Sequence, residues 1–265
     1  MLLWTRTSRM ITWIVFAVVV LMVFVAPIAT VVIAGFAGSW TGPLPSNLGF
    51  THFGDALSGE NLASLSVSLQ TAFIAGAIAL VLGTWAALSS RKAPAPVRRF
   101  TDAVFHLPIA VPSVAVGLGL LISFNARPLL LGGTRWIVIV AHTVLVLAFA
   151  FSAVTAALER LDPAYAQAAE SLGASPFRVL TRVTLPMLTP ALGAAAGLAI
   201  ALSMGELGAT VMVYPATWKT LPVTIFGLSD RGQVFSAAAC TTVLLATTLV
   251  ALIVLGRIRT RSAAR

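Results

Sequence analysis

Six long apolar stretches decide what this chain can be. They run from Ile11 to Ala37, Leu62 to Leu88, Val104 to Phe124, Trp136 to Leu158, Met187 to Val213 and Phe235 to Gly256. Each reaches the ~20 residues that a helix needs to cross the hydrocarbon of a bilayer. Only 9% of the 265 residues are charged, against roughly a quarter in a soluble domain, so a water-facing surface could not be covered. The expectation is an all-α, polytopic membrane protein with six transmembrane helices in a single transmembrane domain, 1–265. The first stretch follows Arg6 and Arg9 as a signal peptide would. It is uncharged from Met10 to Thr51, far longer than the ~7–15 residues of a signal core, and reads as an uncleaved helix.

A formal net charge of +9 raises the question of nucleic acid, and the placement of the charge answers it. If the N-terminus is cytoplasmic, the inner segments hold Arg6, Arg9, Arg91, Lys92, Arg98, Arg99, Arg160, Arg178, Arg182, Arg257, Arg259, Arg261 and Arg265, 13 of the 17 basic residues. The outer segments hold Arg127, Arg135, Lys219 and Arg231. Basic residues mark cytoplasmic loops, so both termini are expected inside, with the basic charge on anionic headgroups. No nucleic-acid partner is needed. The outer segments are Gly38–Asn61 with Asp55 and Glu60, the short Asn125–Arg135, and Tyr214–Val234. Pro215, Pro222 and "SDRG" divide the last into a turn, a short apolar piece and a turn, either an ordinary loop or a re-entrant segment.

Several kinds of chemistry are not encoded. One cysteine, Cys240, excludes an internal disulfide and reads as a small packing residue. His52, His106 and His142 fall in three separate segments without metal-ligand spacing. There is no phosphate-cradling GxxxxGK loop, and no histidine–carboxylate pair is placed to activate a hydroxyl. A membrane enzyme is a distant alternative, and a channel lacks its ring of pore charges. Pro108, Pro112, Gly117 and Gly119 mark the third stretch as kinked or partly unwound, either a simple bend or irregular backbone at a cavity. Gly193 and Gly197 form a GxxxG pair, either a contact with another membrane subunit or a chance match in an Ala/Gly-rich helix. Glu206 is the one acidic residue inside an apolar stretch and is a functional candidate by default. It either meets substrate or gate residues or pairs with Arg127, Arg135 or Arg231.

The polar segment 159–186 stands apart. Asp162 suits an N-cap, Pro163 the first helical position and Gly173 the left-handed position after the helix. Tyr165, Ala168, Ala169 and Leu172 share one face. Ser175 and Pro176 start a second helix that leads to Leu185 and Pro186. A helix this short is marginal alone in water, so its apolar face needs cover, from its own protein or from another.

The spacing of this loop resembles the "EAA" motif of ABC-importer permeases. It reads Gln167-Ala168-Ala169, three residues, Gly173, nine residues, Val183-Thr184-Leu185-Pro186. Gln167 stands where the family usually has Glu, which puts an ion pair from that position in doubt and leaves Glu170 as a stand-in. Val183 replaces Ile. The resemblance implies the fold of a type I ABC importer permease, with Tyr165, Gln167, Ala168, Ala169, Glu170, Leu172, Gly173, Leu185 and Pro186 forming an ATPase-coupling helix. It implies ABC ATPase subunits as partners, a second permease subunit in a homo- or heterodimer, and an extracytoplasmic solute-binding protein docking near Asp55, Glu60 and Tyr214–Val234. No cofactor is expected on this chain, with ATP and Mg bound by the ATPase. The stretch "SMGELGATVMVYPATWKTLPVTIFGLSDRG", Ser203 to Gly232, together with "HLPIAVPSVAVGLGLL" and "ESLGASP", is similar to permeases for small oxyanions, thiamine and ferric ions, and most of all to those for 2-aminoethylphosphonate. The candidate substrate-pathway residues are Ser203, Glu206, Thr210 and Pro112. Sulfate, molybdate, thiamine or iron(III) are the alternative cargoes on the same fold.

Overall fold

The computed structural model describes residues 6–91 and 93–263, with side chains as far as Arg257. Of the basic residues assigned to the inner face, Lys92 and Arg265 lie outside the described residues, as do the side chains of Arg259 and Arg261. Thirteen α-helices follow one another among the described residues. α1 (Arg6–Val20) runs through a π turn, Leu21–Val25, into α2 (Ala26–Phe36). α3 (Thr51–Ala56) precedes α4 (Gly59–Arg91), and α5 (Ala95–Ala110) precedes α6 (Ser113–Ser123). Next come α7 (Arg135–Arg160), α8 (Pro163–Ser171) and α9 (Pro176–Val179). A second π turn, Leu180–Thr184, joins α9 to α10 (Leu185–Met204), followed by α11 (Gly208–Val213), α12 (Leu221–Asp230) and α13 (Val234–Ala263).

Five helical runs are long and apolar enough to cross a membrane: Arg6–Phe36, Gly59–Arg91, Arg135–Arg160, Pro176–Met204 and Val234–Arg257. α5 and α6 make a sixth if counted together, bent by 105°. The fifth apolar stretch, expected to be one span from Met187 to Val213, departs from expectation at both ends. Its helix extends back to Pro176 and stops at Met204, and α11 is a separate piece. Both π turns stand just ahead of a proline, Pro27 and Pro186. Proline has no N–H for the carbonyl four residues back, and the widened turn takes up that gap in the ladder.

The described chain falls into two compact units. One consists of residues up to 62 with 224–245. In it the rings of Phe36, Phe50 and Phe53 cluster, with Phe36 and Phe53 centroids 4.5 Å apart. The imidazole Nδ1 of His52 lies 3.1 Å from Ser236 Oγ, and Gly35 lies so close to α13 that a β-carbon would stand 3.1 Å from Ala239 Cα.

The other unit, 63–223 with 246 onward, is built around α7, the helix most enclosed by its own chain. Lipid tails are as apolar as leucine, so close packing rather than water exclusion holds such helices together. α4 meets this need with small residues: Ala72, Ala75, Ala79 and Ala87 are buried on it, and a β-carbon on Gly83 would stand 2.9 Å from Phe151 N. Ala79, Val146, Ala150 and Ala199 pack as one cluster, and Ala87, Phe151, Val154, Leu158 and Leu188 as another. Gly197 of the GxxxG pair faces Leu252 of this same chain. Some hydroxyls inside the spans bond back to their own helix, as Thr143 does to Ile139 O at 2.7 Å. The segment 214–234 is not an open loop. Trp218 Nε1–H donates to Thr71 Oγ1 at 3.0 Å, the Leu221 N–H donates to Ser68 Oγ at 2.8 Å, and the first turn of α12 is buried.

Candidate functional site

Two places concentrate the sequence-predicted residues. The first is the polar loop. The Ala164 N–H donates to Asp162 Oδ1 at 2.9 Å, the cap expected from Asp162 and Pro163. α8 then ends as the position of Gly173 foretells: Gly173 has φ +81°, its N–H reaches Glu170 O at 2.9 Å, and the Ala174 N–H reaches Ala169 O at 3.0 Å. These two bonds satisfy the last carbonyls of the helix in a Schellman motif. α8 buries none of its residues. Tyr165 is 57% exposed and Leu172 89%, and Phe177 at the start of α9 adds a ring 75% exposed. The apolar stripe is thus not covered by its own protein, and Phe177, unremarked in the sequence, is a further exposed apolar side chain on the next helix. The side chains of Gln167 and Glu170 point to solvent with no partner among the described residues. Leu185 and Pro186 open α10 directly after the π turn.

The second place is a corner of two interrupted helices. Val111 and Pro112 are extended (ψ 132° and 135°), and α6 starts at Ser113 with its first N–H groups folded over Pro112 O. α10 ends at Gly205, and Glu206 and Leu207 separate it from α11. α6 and α11 pack through glycines. A β-carbon on Gly117 would stand 2.6 Å from Ala209 O, and one on Gly208 would overlap Ser113 Oγ. At Gly117 the obstacle is main chain and leaves no room for a side chain, while at Gly208 the Ser113 hydroxyl would have to turn away.

His142 of α7 sits beside this corner, 1% exposed. Its Nδ1 lies 2.7 Å from Ser203 Oγ on α10, and its Nε2 lies 2.8 Å from Thr210 Oγ1 on α11. Two of the four candidate pathway residues, Ser203 and Thr210, are therefore buried and joined to each other through an imidazole. Glu206 forms no ion pair among the described residues; its Oε1 accepts the Ala209 N–H at 2.7 Å and caps α11. Arg135 lies instead over the rings of Trp136 and Trp218, at 5.1 and 5.7 Å. Pro112 is exposed at the bend. The sequence offered one signal for His142, a polar residue within a span, but nothing that pointed to its partners.

Residues 79–264 match the family described as the binding-protein-dependent transport system inner membrane component. The chain belongs to this family. It is a permease subunit of an ATP-driven importer in the bacterial inner membrane, a transport subunit rather than an enzyme. It is 44% identical over 261 residues to a Salmonella paratyphi A protein named as a 2-aminoethylphosphonate transport system permease, covering 98% of each chain. To the sulfate transport system permease of Escherichia coli it is 31% identical, over 76% of this chain and 77% of the other. To the molybdenum transport system permease of the same organism it is 30% identical, over 66% of this chain and 83% of the other. Among solved structures, a bacterial ABC transporter that imports alginate shares the fold at TM-score 0.74 and 18% identity, over 97% of this chain and 99% of the other. An inward-facing methionine ABC transporter does so at TM-score 0.64 and 17% identity, over 76% of this chain and 95% of the other.

Proposed function

We propose that this permease carries 2-aminoethylphosphonate, by alternating access driven through α8 by a separate ATPase. The observation that carries the cargo is the gradient among relatives: 44% identity across 98% of the chain for the one named for 2-aminoethylphosphonate, against 31% across 76% for the sulfate permease. The coupling role rests on the uncovered Tyr165 and Leu172 of the capped helix α8, with Phe177 exposed at the start of α9. Tyr165, Gln167, Ala168, Ala169, Glu170, Leu172, Gly173, Leu185 and Pro186 then form the face that enters a cleft of the ATPase, which holds ATP and Mg. An extracytoplasmic binding protein delivers cargo from the opposite side, over Asp55, Glu60 and the segment 214–234.

A type I importer places two permease subunits over two ATPases, so a homo- or heteromeric partner is part of this reading. The span Arg6–Phe36, in whose most apolar window no residue is buried, is then left for lipid and that partner. Both termini lie on the ATPase side, the side of Arg91, Arg98, Arg99, Arg160, Arg178 and Arg182. The pathway runs past the corner. Pro112 and the second carboxylate oxygen of Glu206 border it, and Ser203 and Thr210 shape it from behind through His142.

The test is uptake into proteoliposomes holding the permease with an ABC ATPase and a solute-binding protein from the same organism. Radiolabelled 2-aminoethylphosphonate should accumulate with ATP and binding protein present, and excess sulfate or molybdate should not compete. Accumulation of sulfate or molybdate instead would transfer the assignment to those oxyanions.

A further inference from the structure

We propose that His142 is a positioning residue for transport, one that splints the gap between α10 and α11 so that the corner moves as a single body. The break at Gly205–Leu207 leaves α11 only six residues long, too short to hold its own direction. Its orientation comes from what it touches. The Gly117–Ala209 contact fixes how near α11 comes to α6, but a smooth contact of small residues does not stop one helix from sliding along the other. A pair of directed bonds does. His142 supplies them from α7, to Ser203 in the last turn before the break and to Thr210 in the first turn after it.

The hydrogens support a single arrangement. An uncharged imidazole offers one donor and one acceptor, and each hydroxyl has one hydrogen to give. If Ser203 donates to Nδ1 and the Nε2–H donates to Thr210 Oγ1, the Thr210 hydrogen is left for Glu206 O, 3.5 Å away. Every hydrogen then has an acceptor. In the reverse order the Ser203 hydrogen has none among the described residues. The preferred order also ties α7 to the backbone of Glu206, whose carboxylate caps α11. One side chain thereby sets Ser203, Glu206 and Thr210 relative to one another, although they lie on both sides of a gap.

The inference depends on the permease family and not on the cargo. The competing role is that His142 only satisfies two buried hydroxyls. The triple variant His142→Leu, Ser203→Ala, Thr210→Val separates the two. It removes every polar group together, which in a buried site can be nearly neutral for stability. The full complex in nanodiscs is compared with wild type for assembly, for amide hydrogen exchange at residues 208–213, and for uptake of radiolabelled 2-aminoethylphosphonate. The splint predicts normal assembly, exchange at 208–213 faster by about tenfold, and a maximal uptake rate lower by about tenfold with the half-saturating concentration unchanged. Wild-type exchange or wild-type uptake in the triple variant would overturn it. Thr210→Val alone, which keeps the side-chain shape and cuts only the arm to α11, serves if the triple variant does not assemble. Faster exchange confined to 208–213 supports the splint, and unchanged exchange refutes it. If wild type takes up no 2-aminoethylphosphonate, the cargo assignment fails by itself and the exchange comparison still decides.

Discussion

A β-carbon on Gly117 would stand 2.6 Å from the carbonyl oxygen of Ala209, so α6 and α11 meet backbone against backbone. Gly117→Ala therefore sets two effects against each other. Alanine favours a helix over glycine by about 1 kcal/mol, whereas forcing a methyl into a filled contact costs about 1–3 kcal/mol. The obstacle is main chain and cannot rotate away, so the loss should win. The purified complex should melt at a lower temperature than wild type. An unchanged or higher melting temperature would mean that the two helices separate freely.

Gly173 closes α8 with φ +81° and open space around it, so only the backbone angle restricts substitution. Side chains other than Asn lose about 1–2 kcal/mol in that region. Permease–ATPase affinity should therefore rank Gly173 above Gly173→Asn, and Gly173→Asn above Gly173→Ala. Equal affinity for all three would show that the turn can be rebuilt on docking.

Leu172 and Phe177 should separate stability from assembly. Both are mostly exposed, so Leu172→Ala and Phe177→Ala should change unfolding by no more than ~0.5 kcal/mol. Apolar anchors at a docked interface lose ~1–2 kcal/mol or more on truncation. Binding of the ATPase, measured on permease in nanodiscs, should weaken by about tenfold for each. Loss of folding with intact binding would contradict the coupling role.

The capping bond from Glu206 to Ala209 separates charge from geometry. Glu206→Gln keeps an oxygen in place, while Glu206→Leu removes a cap worth about 1 kcal/mol. Uptake should stay within about threefold of wild type for Gln and fall further for Leu. Equal damage by both would mean that the negative charge itself serves transport.

The loop was legible in the sequence because each of its devices is local. Asp162 caps a residue two positions on, and Gly173 ends a helix that began ten residues earlier. The six apolar stretches were legible for the same reason, since a span is a contiguous run. The corner was not. Glycines are common in membrane helices, so Gly205 and Gly208 gave no sign that hydropathy would run on while the helix did not. The prolines of the third stretch foretold a bend but not its 105°. His142 meets partners 61 and 68 residues away, and no periodicity encodes such a meeting. For Glu206, the sequence raised charged partners, while the carboxylate is taken up by an amide three residues along.

The π turn at Leu180–Thr184 has a further consequence. Such a turn holds about one residue more than the α turn it replaces, and one residue of helix is about 100° of rotation. None of its five residues is buried. Deleting one of them would therefore let an ordinary α turn close in its place and leave α9 and the ring of Phe177 on the same side of the shaft. A deletion in the regular helix that follows has no such slack and would swing α9 by that angle. The segment works as a tolerance: it takes up a change of one residue without turning the cytoplasmic end against the membrane end.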